Sequence, residues 1–473
     1  MEERGKIDNY KRFKTLPILG EKNYDEVCEE IKAGRLSKDV VLKIGVQYRY
    51  LFSQHHFNSV DIRDYLFPRT VAMSIIHVSI ALNDQAMIDH LLALNCNLQA
   101  TTGYGHTVLQ FAVMCNKLTT VRKLLATGID INNLGEDLQL LLVTAVESNN
   151  LKMVELLISC GAQVNVRKVC HITESPFGCA VADSNVKMME LLISHGADVN
   201  FKMSGITLFL TGTPLIAACI FGDTIDSVEL LLNHPHIDIQ AVDDFNESCV
   251  FVAARNNQLK NLQLILNTNI DINIKNIHKK LPLDVASNEG NYLIKRHIVK
   301  LIVAGFYVCE ENREAVRLEQ FDILRAKCSE EIRMMKDTKE LYTNWSCFMI
   351  LKRSQHFLAL RFKHVEVSVD QEEDWIEKFP LYGEILAFHV KKALQRKMIL
   401  KHTDQVLFDI FNKILPDTFI HDLYYFLKLQ SASYLGHKLI IGEVSKAPMI
   451  LKVYDDSLTM DINCPIRSDL VFS

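Results

Sequence analysis

The sequence predicts an all-α fold: a solenoid of about seven short helix pairs joined by β-turn fingers, then a helical C-terminal domain. Three observations predict it. A small residue recurs at Ser79, Ala112, Ala145, Ala180, Ala218, Ala253 and Ala286, at spacings of 33, 33, 35, 38, 35 and 33 residues. Leucine clusters travel with it, at Leu91-Leu92, Leu124-Leu125, Leu156-Leu157, Leu191-Leu192 and 230–232. A closing run also recurs, as Gly128-Ile-Asp-Ile-Asn132, Gly161-Ala-Gln-Val-Asn165 and Gly196-Ala-Asp-Val-Asn200, with Ile270-Asp-Ile-Asn273 keeping its last part.

The clearest unit is 175–200, SPFGCAVADSNVKMMELLISHGADVN. Its first half reads as a short helix with Ala180 facing inward. Its second half is a helix with Met188, Leu191, Leu192 and Ile193 on the apolar side. Gly196, just after the last periodic residue, is a helix C-cap signal. The slot opening the first helix holds Ser74-Ile-Ile-His77, Thr107-Val-Leu-Gln110 and Thr213-Pro-Leu-Ile216. These features resemble the ankyrin repeat, which reads TPLHxA and then LLxxGADVN at a period of about 33 residues. The resemblance implies an array over 67–308 that holds a protein target and has no chemistry of its own.

Composition bounds the rest. The chain has 473 residues, 48% of them hydrophobic and 23% charged, which is the balance of a globular protein. A net charge of −5 gives no reason to expect nucleic-acid binding. No apolar run approaches the length that spans a membrane. The opening MEERGKIDNYKRFKTL lacks the apolar core of a signal peptide. Twelve cysteines are scattered without a CxxC pair, which suits reduced thiols. The expected location is the cytoplasm, with the nucleus open.

Ahead of the array, 1–66 is expected to form a helical N-terminal cap. Residues 23–52 carry Val27, Ile31, Val40, Val41, Ile44 and Val46 at apolar positions and no repeat marker. A solenoid needs such an end piece, because each unit buries its face only on neighbours. Within the array the fingers differ in length. The usual gap from the Asn slot to the next unit is eight positions, as from Asn132 to Leu140, but it is ten before Ser175 and thirteen before Thr213. Insertions in repeat proteins map to loops on one face, often the binding face. The longest finger carries Phe201, Ile206, Leu208, Phe209 and Leu210, which are the candidate target-binding residues. The same residues would also suit packing back over the adjacent finger.

Catalytic patterns are missing. Gly103-Tyr-Gly105 lacks the third glycine of a dinucleotide loop, and no Walker A, HExxH, GxSxG or kinase pattern occurs. His55-His56 and His234-Pro-His236 lack partners at metal-binding spacing and read as surface or turn residues. No enzyme activity, cofactor or metal is expected.

Beyond the array, 309–441 reads as a helical domain. Val316, Phe321, Ile323, Leu324 and Ile332 form one apolar stripe. A later helix is basic through Lys391, Lys392, Arg396, Lys397 and Lys401, which reads as a solvated face. The segment LPDTFIHDLYYFL places Phe419, Leu423, Phe426 and Leu427 at i, i+4, i+7 and i+8 behind Leu415 and Pro416. Pro416 suits a first helical turn, where its missing N–H costs nothing. The segment resembles the first helix of an F-box, LPxEIxxxIxxYL followed by DLxxL. Thr418 stands where Glu is usual and Ser431-Ala432 where Asp-Leu is usual, while Leu435 follows in register.

Together with Cys328-Ser-Glu-Glu-Ile332, 345–351, Phe379-Pro-Leu-Tyr382 and 392–400, this layout is similar to the PRANC arrangement (pox proteins repeats of ankyrin, C-terminal). That arrangement occurs in proteins of poxviruses, bacterial symbionts and parasitoid insects. The resemblance covers 310–436 and implies an F-box-like part near 414–436. Leu415, Pro416, Phe419, Leu423, Phe426, Leu427 and Leu435 would then contact the Skp1 adaptor of a cullin ubiquitin ligase. The expected function is a substrate receptor linking an ankyrin-bound target to that ligase. The alternative is a scaffold or inhibitor that sequesters a signalling protein without ubiquitin transfer. The tail, 442–473, extends past the resemblance, and Met449-Ile-Leu-Lys-Val453 suits a strand.

Overall fold

The repeat pattern resolves into helix pairs in a computed structural model. The structure describes residues 24–45, 70–103, 105–132, 141–165, 175–202, 212–220, 225–339, 345–362, 371–410, 450–455 and 458–463. The chain divides into two compact units, 1–230 and 231–473.

In the first unit, α1 (Tyr24–Lys32) precedes a strand pair, β1 (Val41–Gly45) and β2 (Thr70–Ser74). Helix pairs follow: α2 (Ile75–Leu82) with α3 (Gln85–Ala93), α4 (Val108–Met114) with α5 (Leu118–Ala126), α6 (Leu141–Glu147) with α7 (Leu151–Ser159), and α8 (Pro176–Ala182) with α9 (Val186–Ser194). Then come α10 (Pro214–Ala218) and α11 (Ile225–Asn233), which contains the boundary between units. The first helices stack in series, α2 on α4, α4 on α6, α6 on α8 and α8 on α10. They pack so closely because the marker side chains between them are minimal. Ala112, Ala145 and Ala218 are fully buried, and Ala180 is 1% exposed.

Helix ends follow from local chemistry. Thr107 and Gln110 form a reciprocal capping box at α4, at 3.2 and 2.8 Å. Ser175 accepts from the Gly178 N–H at 2.9 Å, and Pro176 fills the first turn of α8. Asp84, Asn150 and Asn185 cap the second helices of their pairs. Gly128, Gly161 and Gly196 all take a left-handed backbone, Gly196 at φ +82°, as its C-cap signal predicts.

Side-chain amides then tie successive pairs together at two junctions. Asn165 Nδ2 donates to the Gly196 carbonyl at 2.7 Å, and its Oδ1 accepts from the Asp198 N–H at 2.8 Å. Asn132 bridges in the same way to Gly161 O and the Gln163 N–H, at 3.2 and 3.3 Å.

The N-terminal segment departs from the helical expectation. Helix α1 stops at Lys32, Gly34 turns left-handed at φ +70°, and 41–45 is a strand paired antiparallel with β2, Val41 opposite Ser74. Period 2 wins here over period 3.6: Val41 is 57% exposed while Leu42 is fully buried. With these strands the all-α expectation is corrected to a mostly helical fold. The segment still meets the first pair as a repeat would. Lys38 Nζ donates to Leu94 O and Asn95 O at 2.6 and 2.8 Å, and Asp39 accepts from the Asn97 N–H at 2.7 Å. The Tyr24 hydroxyl lies 3.0 Å from Ser79 Oγ and 3.1 Å from Asp84 Oδ2. That explains serine in the first marker slot: it pairs with a buried phenol.

In the second unit, α12 (Cys249–Arg255) pairs with α13 (Leu259–Leu266), and α14 (Pro282–Val285) with α15 (Asn288–Val303). Ala253 is fully buried, but α14 is so short that Ala286 falls past its end in an extended backbone. Helices α16 (Glu310–Glu314), α17 (Asp322–Asp337), α18 (Cys347–Lys352), α19 (Gln355–Arg361), α20 (Gln371–Lys378) and α21 (Gly383–Ile410) follow. Helix α15 carries α17, and α21 packs on α18, α19 and α20. Strands β3 (Ile450–Asp455) and β4 (Leu458–Asn463) form an antiparallel pair where the tail pattern suggested a strand.

Ala180→Leu is expected to overpack the junction between neighbouring first helices and to cost roughly 1–3 kcal/mol. Urea unfolding measures the loss. Hydrogen exchange should show it near α6, α8 and α10 and not uniformly, because repeat stability is close to a nearest-neighbour sum.

Candidate interaction surfaces

Two surfaces of the second unit are built in detail: a pair of fingers, and the seat of the long helix α21. Asp243 shapes the first finger, accepting from the Phe245 and Glu247 N–H groups at 2.9 and 2.8 Å. Asn276 shapes the second, accepting from the His278 and Lys280 N–H groups, both at 3.0 Å. Lys279 takes a left-handed turn at φ +60°. The fingers are joined side by side. The Ile277 N–H donates to Phe245 O at 3.0 Å, Asn246 Nδ2 to Lys275 O at 2.6 Å, and Asn276 Nδ2 to buried Glu247 at 3.0 Å. Arg255 completes Glu247 with an ion pair.

The long helix is held at both its start and its middle. Glu331, on α17, accepts from the Leu381 N–H at 2.9 Å and the Tyr382 N–H at 2.7 Å. The carboxylate thus caps the N-terminus of α21 from fifty residues upstream, where the helix dipole favours an anion. Burial pushes the Glu331 carboxyl up, and the two N–H groups oppose that shift. Gly383 is required at this start, because a Cβ there would collide with the Trp375 carbonyl oxygen.

Farther along, Lys392 Nζ donates to His234 O at 2.7 Å and Gln395 Nε2 to Asn233 O at 2.8 Å. These carbonyls sit at the C-terminus of α11, where orphan acceptors and the dipole both favour a cation. His389 accepts from Asn269 at Nδ1, at 2.5 Å, and donates from Nε2 to Arg353 O at 2.6 Å, which makes it a neutral imidazole. Burial lowers its pKa accordingly. Glu384 also pairs with Asn267.

A family model described as ankyrin repeats (3 copies) matches residues 75–168 and 177–276. These stretches are ankyrin repeats. Solved structures similar to the chain include the ankyrin repeat domain of Bcl-3, described as a unique member of the IkappaB protein family. It is 21% identical with a TM-score of 0.41, over 46% of this chain and 97% of that one. The human ASB11 ankyrin repeat domain is also 21% identical, with a TM-score of 0.40, over 46% and 96%. Among curated protein sequences none matches.

Ankyrin repeats make this part of the chain a protein–protein interaction module. The residues singled out from sequence lie mostly elsewhere. Phe201 is half-buried, its N–H donating to Asp198 O at 3.3 Å. Ile206, Leu208, Phe209 and Leu210 lie outside the described residues, as do Leu415, Pro416, Phe419, Leu423, Phe426, Leu427 and Leu435. The basic helix is a correction. Lys392 is 7% exposed instead of solvated, and burial lowers its pKa to about 7. Charge count alone could not separate a lysine aimed at ankyrin helix carbonyls from those aimed at water. No helix among the described residues is long and apolar enough to cross a membrane.

Lys392 generates a pH test. Its folded pKa, about 7, lies below the ordinary lysine value of 10.5. Between those values the unfolded chain binds more protons, so this group's contribution to stability rises with pH across that window. The unfolding free energy of wild type minus that of Lys392→Met should therefore increase from pH 7 to pH 10. A difference that stays flat in urea titrations would assign Lys392 an ordinary pKa.

Proposed function

We propose that this chain is a substrate receptor for a Skp1–cullin–F-box type ubiquitin ligase. About seven ankyrin repeats over 67–308 hold a protein target, and a PRANC-like helical domain over 309–441 presents the F-box-like segment near 414–436 to Skp1. Supporting this reading most is the anchoring of α21 to the C-terminal end of α11 through Lys392 and Gln395. A receptor must hold its target in a defined relation to its ligase contact. The helix that ends at Ile410, just before Leu415, is tied to the C-terminus of α11. Rate would then come from proximity, through a raised effective concentration of target near the ligase. The PRANC-like stretches also meet one another: Glu331 of the first clasps Leu381 and Tyr382 of another.

In this reading Leu415, Pro416, Phe419, Leu423, Phe426, Leu427 and Leu435 contact Skp1, and no residue acts as a catalyst. Such a protein would work in the cytoplasm or nucleus as an effector of a pathogen or parasitoid. The described cysteines are all free thiols, which suits those compartments. Leu423→Asp and Phe426→Asp would put an unpaired charge into an apolar contact. Skp1 capture by the full chain should be abolished while circular dichroism stays at the wild-type level. No Skp1 capture by the wild-type chain would remove the ligase role and leave a sequestering ankyrin scaffold.

The target side is tested separately. Phe201, Ile206, Leu208, Phe209 and Leu210 are proposed to contact the target through the long finger. Trimming that finger to the common length should keep the helical signal and weaken capture of the target. Equal capture by a folded, trimmed variant would return these residues to a packing role.

A further inference from the structure

The finger at 275–280 combines three features in this acidic chain. It carries Lys275, His278, Lys279 and Lys280 with no acid, in a protein of net charge −5. It presents Ile277 at its tip, 56% exposed. It is also rigid: Asn276 is buried and binds two N–H groups of its own loop, while its amide clasps Glu247 of the adjacent finger.

The fold accounts for Lys275 and not for Lys279 and Lys280. Lys275 pairs with Glu311 at 2.5 Å across exposed surface, and the side chains of Lys279 and Lys280 form no ion pair among the described residues. The neighbouring finger keeps two of its acids turned inward, with Asp243 on backbone N–H groups and Glu247 on Arg255 and Asn276. Asp244 is the exposed acid of that finger. Holding a charged loop in one conformation lowers the ordering cost of binding. A rim of cations around one apolar side chain suits a partner that brings carboxylates and an aliphatic residue, and it steers that partner at long range.

We propose that finger 275–280 docks an acidic peptide segment of the protein held by the repeats, with an aliphatic side chain against Ile277 and carboxylates on Lys279 and Lys280. This rests on the reading that the ankyrin repeats hold a protein target. It is independent of Skp1. It adds a second contact, of defined charge, to the long finger.

The test uses the full chain and three fluorescent probes: a short Glu/Leu peptide, a Lys/Leu peptide of equal length, and oligouridine. The Glu/Leu peptide should bind with an affinity that falls as salt rises, and the Lys/Leu peptide should not bind. Lys279→Glu with Lys280→Glu should weaken the acidic peptide by about tenfold or more. Ile277→Ser should weaken it several-fold without changing the salt dependence. Both sites are exposed, and circular dichroism checks that each variant is folded. Lys279→Gln with Lys280→Gln, which removes charge without adding repulsion, should give an intermediate loss. Unchanged affinity in the folded charge variants overturns the proposal. So does oligouridine binding as tightly as the peptide, which would make the finger a general anion site. Skp1 capture by the same variants should equal wild type, so its failure bears on the ligase role and leaves the finger standing.

Discussion

The fold depends on how the ends of short helices are satisfied. Each second helix ends with carbonyls that no later turn can reach. At three of these ends a side-chain amide from the preceding repeat meets them: Asn132 at Gly161 and Asn165 at Gly196 in the first unit, Gln240 at Asn269 in the second. The same amide oxygens accept an N–H two residues further on, at Gln163, Asp198 and Asp271. One planar group therefore satisfies a donor and an acceptor that would otherwise be orphaned. At Gly161 and Gly196 a left-handed glycine turns both groups toward it, whereas Asn269 serves the same bridge without a positive φ. Apolar stacking supplies the energy, and the amide bridge supplies the register.

The C-terminal helices use the same vacancy in a different way. Where repeats offer an amide, α18 and α21 offer longer side chains, with Lys352 on Gly305 O and Lys392 and Gln395 on the end of α11. A lysine at a helix C-terminus gains from the dipole but loses hydration. The balance is visible in Lys352 and Lys392, where burial lowers both pKa values. Cation–π contacts with Phe306 and Phe388 offset part of that loss. The layer is thus held on polar helix ends as well as apolar surface.

The repeats were legible because their information is local and periodic. Marker alanines, paired leucines and closing glycines each report one steric or backbone requirement, and the structure meets those requirements at Ala112, Leu124 and Gly128. Residues 41–45 misled because a short apolar run suits either period, and its strand partner lies at 70–74, outside any local window. The short α14 misled in another way: the spacing to Ala286 is correct, but Pro282 opens a helix that ends after one turn. The finger at 275–280 has the ordinary length, from Asn273 to Leu281, so its charge is not marked by any insertion. Lys392 was hidden because burial of a cation depends on carbonyls about 158 residues away in sequence.

That separation has a consequence for synthesis. The amide bridges span 29 to 33 residues, so each repeat can be completed soon after it leaves the ribosome. The carbonyls at 233 and 234 must instead wait for residues 392 and 395 to emerge. At about 5–20 residues per second, that interval is on the order of ten seconds or more. During it the helix end faces water and any factor near the exit tunnel. The nascent chain therefore presents a polar seat that the finished protein covers, which gives a growing chain and a mature one different surfaces to offer the same partner.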